Sequence, residues 1–144
     1  MQFDVYLQTN IRTVRSSEGM IGAVLEMPRD PEPVRRAYFE PVNANRGTAE
    51  LLALRLAARH IKPDQDSRIV IHTDSAYVSG SLYWLKTWRA GGWRRPNGKP
   101  VANAQIWEEI AQGLVGNQYV AICEEGKPSE WRGWLRAQLT ARGG

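Results

Sequence analysis

The sequence predicts an α/β fold, a mixed five-stranded sheet with helices on its faces. Three observations carry that prediction. Phe3 to Thr9 alternates, with Phe3, Val5 and Leu7 on one side, the two-residue period of a strand. Pro28 to Pro33, with Asp30 between prolines, reads as the turn of a hairpin joining two strand-like runs. The later strand-like runs are separated by helical patterns, which favours parallel pairing through right-handed crossovers.

The elements follow in order. Phe3 to Thr9, Met20 to Met27 and Val34 to Pro41 are expected as an antiparallel meander. Thr48 to His60 is helical, since Leu51, Leu54 and Ala58 fall on one stripe, with Thr48 or Asn45 as cap. Arg68 to His72 reads as a short buried strand and Ser75 to Trp88 as a helix. A further helix spans Asn103 to Leu114, with Asn103 as its cap. Tyr119 to Cys123 is the fifth strand, and Ser129 to Arg142 a helix capped by Ser129. The order is β-β-β-α-β-α-α-β-α.

At 144 residues the chain fits one domain, residues 1–144, with one ordinary core. Its 42% hydrophobic and 24% charged residues are globular values. No apolar run approaches the ~20 residues of a membrane span. The opening MQFDVYLQ has no charged segment leading into an apolar one, so it does not read as a signal peptide. A single cysteine, Cys123, rules out an internal disulfide and argues against a cysteine-based zinc site. The expected setting is cytoplasmic, with no membrane partner.

The stretch from Ile69 to Ile110 is the most informative. An apolar strand runs into Thr73-Asp74-Ser75, presenting one carboxylate at a strand end. From Ser75 to Trp107 there is no acidic residue, but there are five basic ones: Lys86, Arg89, Arg94, Arg95 and Lys99. Three tryptophans, Trp84, Trp88 and Trp93, lie among them. The net charge is +4. Clustering says more than the total, because a basic patch on one face is the footprint of phosphate binding.

On these residues the chain resembles type 1 ribonuclease H. The likeness is strongest over TDSAYV, over the spacing of Trp84, Trp88 and Trp93, and over GKPVANAQIW. It is good from Asn45 through Arg46, Gly47, Thr48 and Ala49 to Glu50, and poor at both ends. The resemblance implies a ribonuclease H-like fold that binds RNA–DNA hybrid and hydrolyses its RNA strand with Mg2+ or Mn2+. It makes Glu50 and Asp74 catalytic metal ligands. It assigns nucleic-acid contacts to Asn45, Arg46, Trp84, Lys86, Trp88, Arg89, Trp93, Arg94, Arg95 and Lys99.

Two members of the family's carboxylate set are missing. Asn10 stands where a first-strand carboxylate is expected, and Gly133 where the final helix usually supplies one. The family's histidine loop is absent too, since the only histidines are His60 and His72. The family's cleavage uses two divalent ions about 4 Å apart. Two carboxylates oppose the four positive charges of such a pair poorly, so weak or single-ion binding is expected, with hydrolysis weak or lost. One alternative is a working enzyme in which Asn10 or Gln8 coordinates through an amide oxygen and Glu130 compensates. Another is a non-catalytic protein-interaction module on the same fold. Structural roles also compete: Asp74 as a helix cap, Glu50 in a capping box, His60 and His72 as structural residues, and Glu124 and Glu125 as solvated groups.

Overall fold

The computed structural model describes residues 1–124 and 126–143, so Glu125 lies outside the described residues. Five strands, β1 (Gln2–Thr9), β2 (Ser17–Met27), β3 (Val34–Ala44), β4 (Arg68–Thr73) and β5 (Gln118–Cys123), form one sheet in the order β3-β2-β1-β4-β5. The helices are α1 (Arg46–Ala58), α2 (Ala76–Ala90), α3 (Ala104–Leu114) and α4 (Glu130–Gly143). β1 pairs antiparallel with β2 and parallel with β4, and β5 joins β4 in parallel. The expected element order and mixed sheet are both present.

The largest boundary differences from expectation are in the β2–β3 hairpin. β2 begins at Ser17 rather than Met20, and β3 continues to Ala44 rather than Pro41. The hairpin ladder runs unbroken from Met27↔Val34 to Ser17↔Ala44, so cross-strand pairing carries both strands past the apolar residues that mark them in sequence. α1 starts at Arg46 because Asn45 caps it, its Oδ1 accepting from the Thr48 N–H at 3.0 Å. Asn103 precedes α3 in a left-handed conformation and makes no side-chain cap bond.

Alternation along β1 sorts its side chains between two layers. Val5 and Leu7 enter the main core with Ile69 and Ile71 of β4, Leu51 and Leu54 of α1, and Trp107 and Ile110 of α3. Tyr6 enters a smaller cluster on the opposite face with Val24 and Leu135, the latter on α4. Asp4 and Gln8 share the parity of Tyr6, so α4 covers the sheet face on which they stand. Among the described residues no helix is long and apolar enough to cross a membrane.

Candidate functional site

β4 ends at Thr73, and the chain turns into α2 one residue beyond Asp74. Ser75 caps that helix, its Oγ accepting from the Val78 N–H at 3.1 Å, which leaves the Asp74 carboxylate free of capping duty. Glu50 is buried, and its Oε1 accepts from the Thr73 hydroxyl at 2.8 Å and from the Asp74 N–H at 3.0 Å. It therefore closes no capping box on α1. These two bonds bring Glu50 and Asp74, 24 residues apart in sequence, to one point at the end of β4. Burial pushes the Glu50 carboxyl above its ordinary range, outweighing the hydrogen bonds and the nearby guanidinium of Arg132.

That guanidinium is the residue the sequence reading missed. Arg132 of α4 is fully buried. Its Nε donates to the Leu7 carbonyl at 2.8 Å. Nη1 lies 3.5 Å from Glu124 Oε1, and Nη2 lies 4.0 Å from both Glu50 Oε1 and Asp74 Oδ2. Nη2 has no hydrogen-bond partner among the described residues. A buried charge needs partners, and here three carboxylates surround one cation.

Glu124 is not a solvated loop residue. Its Oε1 accepts from the Ser129 N–H at 2.9 Å, and its Oε2 lies 2.8 Å from His72 Nδ1. His72 Nε2 lies 2.9 Å from Asp4 Oδ1, and the imidazole stacks on Tyr6 with ring centroids 4.4 Å apart. Desolvation raises the Glu124 carboxyl, but the bonds from Ser129 and His72 prevail and hold it below its usual value. Asp4, His72, Glu124 and Arg132 thus form a continuous polar chain beneath α4.

Asn10, the position matched to the family's first-strand carboxylate, faces elsewhere: its Oδ1 accepts from the Met20 N–H at 2.8 Å and closes the β1–β2 end. The β1–β4 register ends at Tyr6↔His72, and Gln8 and Asp74 each lie two residues beyond that pair in sequence. Gln8 is fully buried and its Nε2 lacks a partner. Asn10 is thus engaged at the β1–β2 end, while Glu50 and Asp74 meet at the end of β4.

Gly133 also differs from its assignment. A Cβ built there would meet only Pro128 Cγ, at 4.0 Å. Adjacent helical residues point about 100° apart, so a register error of one exchanges Arg132 for Gly133. Glu130 lies exposed on the first turn of α4, and it is Glu124 that reaches Arg132.

Two carboxylates with a guanidinium between them do not fit a pair of divalent ions. Among the described residues no group of three or more His, Cys, Asp or Glu is placed to hold a metal ion.

The basic segment divides into two parts. After α2, Gly92 and Trp93 adopt positive φ of 71° and 64° and turn the chain into a small hairpin. Val101 N–H donates to the Trp93 carbonyl at 3.0 Å and Arg95 N–H to the Lys99 carbonyl at 2.8 Å. Arg94, Arg95 and Lys99 stand exposed on it, while Trp93 packs against the core. Arg89 instead pairs with Glu108 of α3 at 3.0 Å, and Lys86 lies over the Tyr119 ring, so neither is a free member of the patch. Trp88 is half-buried and Trp84 is 49% exposed. Asn45 is occupied as the α1 cap, and Arg46 is exposed beside it. His60, expected as a structural residue, stacks on Tyr38 with centroids 3.7 Å apart.

Residues 10–122 match the family model described as RNase H. A ribonuclease HI of Haemophilus influenzae is 33% identical over 121 residues, which covers 74% of this chain and 75% of that protein. A ribonuclease H of Bordetella pertussis is 36% identical over 88 residues, 60% of this chain and 48% of that protein. The chain thus spans about half the length of some of the curated relatives it matches, 48% in that case. A crystal structure of a type 1 RNase H with the type 2 active-site motif superposes with a TM-score of 0.70 at 22% identity, covering 99% of this chain and 72% of that one. With the sheet order, the Glu50–Asp74 juxtaposition and this match over most of its length, the chain belongs to the RNase H family.

Proposed function

We propose that this protein binds RNA–DNA hybrid duplex through its basic hairpin and the adjoining end of β4, and cleaves the RNA strand weakly or not at all. Arg94, Arg95 and Lys99 supply exposed cations for phosphates, with Trp84 and Arg46 as flanking contacts. Selection of the RNA strand would come through 2′-hydroxyls in the wide minor groove. The observation that carries the weak-hydrolysis reading is the guanidinium of Arg132, 4.0 Å from the carboxylates of both Glu50 and Asp74. It offsets negative charge where the family's reaction needs cations to be held. With the ligand set unsuited to a metal pair, the chain's own residues do the binding and positioning. Thr73 and the Asp74 N–H fix the Glu50 carboxylate, and Leu7 and Glu124 fix Arg132.

The test is a hybrid-cleavage assay in magnesium and in manganese, run beside a binding titration, with Asp74→Ala as control. Salt-sensitive binding with little cleavage is the expected result. A second reading, a working enzyme with an unusual ligand set, is favoured by Gln8, a fully buried amide near the end of β1 with an unpartnered nitrogen. Robust manganese-dependent cleavage that disappears in Asp74→Asn would establish that reading instead.

A further inference from the structure

We propose that the Arg132 guanidinium is the resident cation of the Glu50–Asp74 centre, that it excludes divalent ions from the native protein, and that its removal uncovers a divalent-cation site. The inference takes the position of the centre from the functional reading above, but needs neither hybrid binding nor cleavage.

The geometry is that of an internal counter-ion. Nη2 is equidistant, at 4.0 Å, from one oxygen of Glu50 and one of Asp74. Nε is tied to Leu7 O at 2.8 Å and Nη1 stands 3.5 Å from Glu124, so the head group is held from two other sides. Arginine stays protonated in proteins, and this one is fully buried. A divalent ion taken up by Glu50 and Asp74 would draw away two of its three carboxylate partners and set a second cation against a buried guanidinium. Both effects oppose uptake.

The same arrangement makes the vacated position attractive to a hard cation. Glu50 and Asp74 would be left facing the vacated position with no counter-charge, with Glu124, the guanidinium's third partner, close by. Carboxylate and amide oxygens are the donors that magnesium and manganese prefer. Gln8 is wholly buried; its Oε1 accepts from the Thr9 N–H at 3.2 Å, and its Nε2 has no partner among the described residues. Glu50 is already held in place by Thr73 and the Asp74 backbone, so a ligand would arrive at a prepared carboxylate.

The experiment uses the full chain and Mn2+ alone, without nucleic acid, so its failure is distinct from a failure of the hybrid-binding reading. Titration of wild type, followed by calorimetry and by the urea midpoint, is expected to show no saturable site and no shift. Arg132→Met should gain one saturable Mn2+ site and a raised urea midpoint in Mn2+, neither of which wild type shows. That site should vanish when Asp74→Asn is added. Should Arg132→Met fail to fold without metal, Mn2+ is expected to restore its native circular dichroism, because a ligand that binds only the folded state stabilises it. A wild-type Mn2+ site abolished by Asp74→Asn overturns the proposal. So does a folded Arg132→Met protein that binds no better than wild type, or an unfolded one that Mn2+ does not rescue.

Discussion

The centre beneath α4 and the hairpin after α2 are built in opposite ways. The centre joins β1, β4, α1 and α4 through buried groups, and each charge in it answers another. The hairpin is closed by its own backbone, and its cations point to solvent. In the first, a change of one side chain strands its partners. In the second, a side chain can be lost without disturbing the fold. Stability and recognition are therefore located in different places, and substitutions can tell them apart.

The largest expected effect is on the centre. Arg132→Met in the absence of metal leaves buried Glu50 and half-buried Glu124 without their cation and should cost about 3–5 kcal/mol in urea denaturation. A loss within about 0.5 kcal/mol, the range of ordinary surface changes, would mean that the guanidinium is not integrated as its contacts indicate. By contrast, Arg94→Ala with Arg95→Ala should leave stability within about 0.5 kcal/mol. The same pair should flatten the slope of log K against log salt for hybrid binding by about one to two units. Unchanged affinity in that double variant would move the binding surface away from the hairpin.

Acid titration divides the centre itself. Glu124 has its folded pKa lowered, so its contribution is present above the ordinary value of 4.5 and disappears as pH falls through the lower folded value. Glu124→Gln should therefore flatten the acid limb of a melting-temperature profile. Glu50 has its folded pKa raised, so its contribution is present below 4.5 and is lost as pH rises through the higher folded value. Glu50→Gln, which can still accept from Thr73, should gain on wild type as pH rises toward neutrality. Matching profiles for the two variants would show that their environments are alike. The smallest effect belongs to Asn10→Asp: it retains the bond from Met20 N–H, should stay within about 0.5 kcal/mol of wild type, and should add no cleavage. A gain in cleavage would place the first-strand ligand at Asn10 after all.

The same contrast explains what could be read from the chain. Element order, the hairpin turn and the strand-end placement of Asp74 follow from local periodicity and turn residues, and all are present. The largest boundary differences lie where ladder pairing outruns the apolar pattern. The basic segment was legible as a run of charges, but not its division, because Glu108 and Tyr119 reach Arg89 and Lys86 from other elements. Arg132 carried no signal of its own. An arginine in a first helical turn reads as solvated, and only the docking of α4 over Leu7 shows that it is not. Gln8 was legible in the sequence as an alternative ligand, but its complete burial was not.

The bond from Arg132 to Leu7 spans 125 residues of sequence, and the contact of His72 with Asp4 spans 68. Contacts of such separation bear a loop-closure entropy that local turns do not, and they slow folding. The hairpin ladder of β2 and β3 can assemble early; the polar chain under α4 can close only when β1, β4 and α4 are already together. In a chevron analysis, weakening that chain with Glu124→Gln should speed unfolding and leave the folding rate nearly unchanged. That result would make the centre the last part of the molecule to form and the one that sets how long the native state persists.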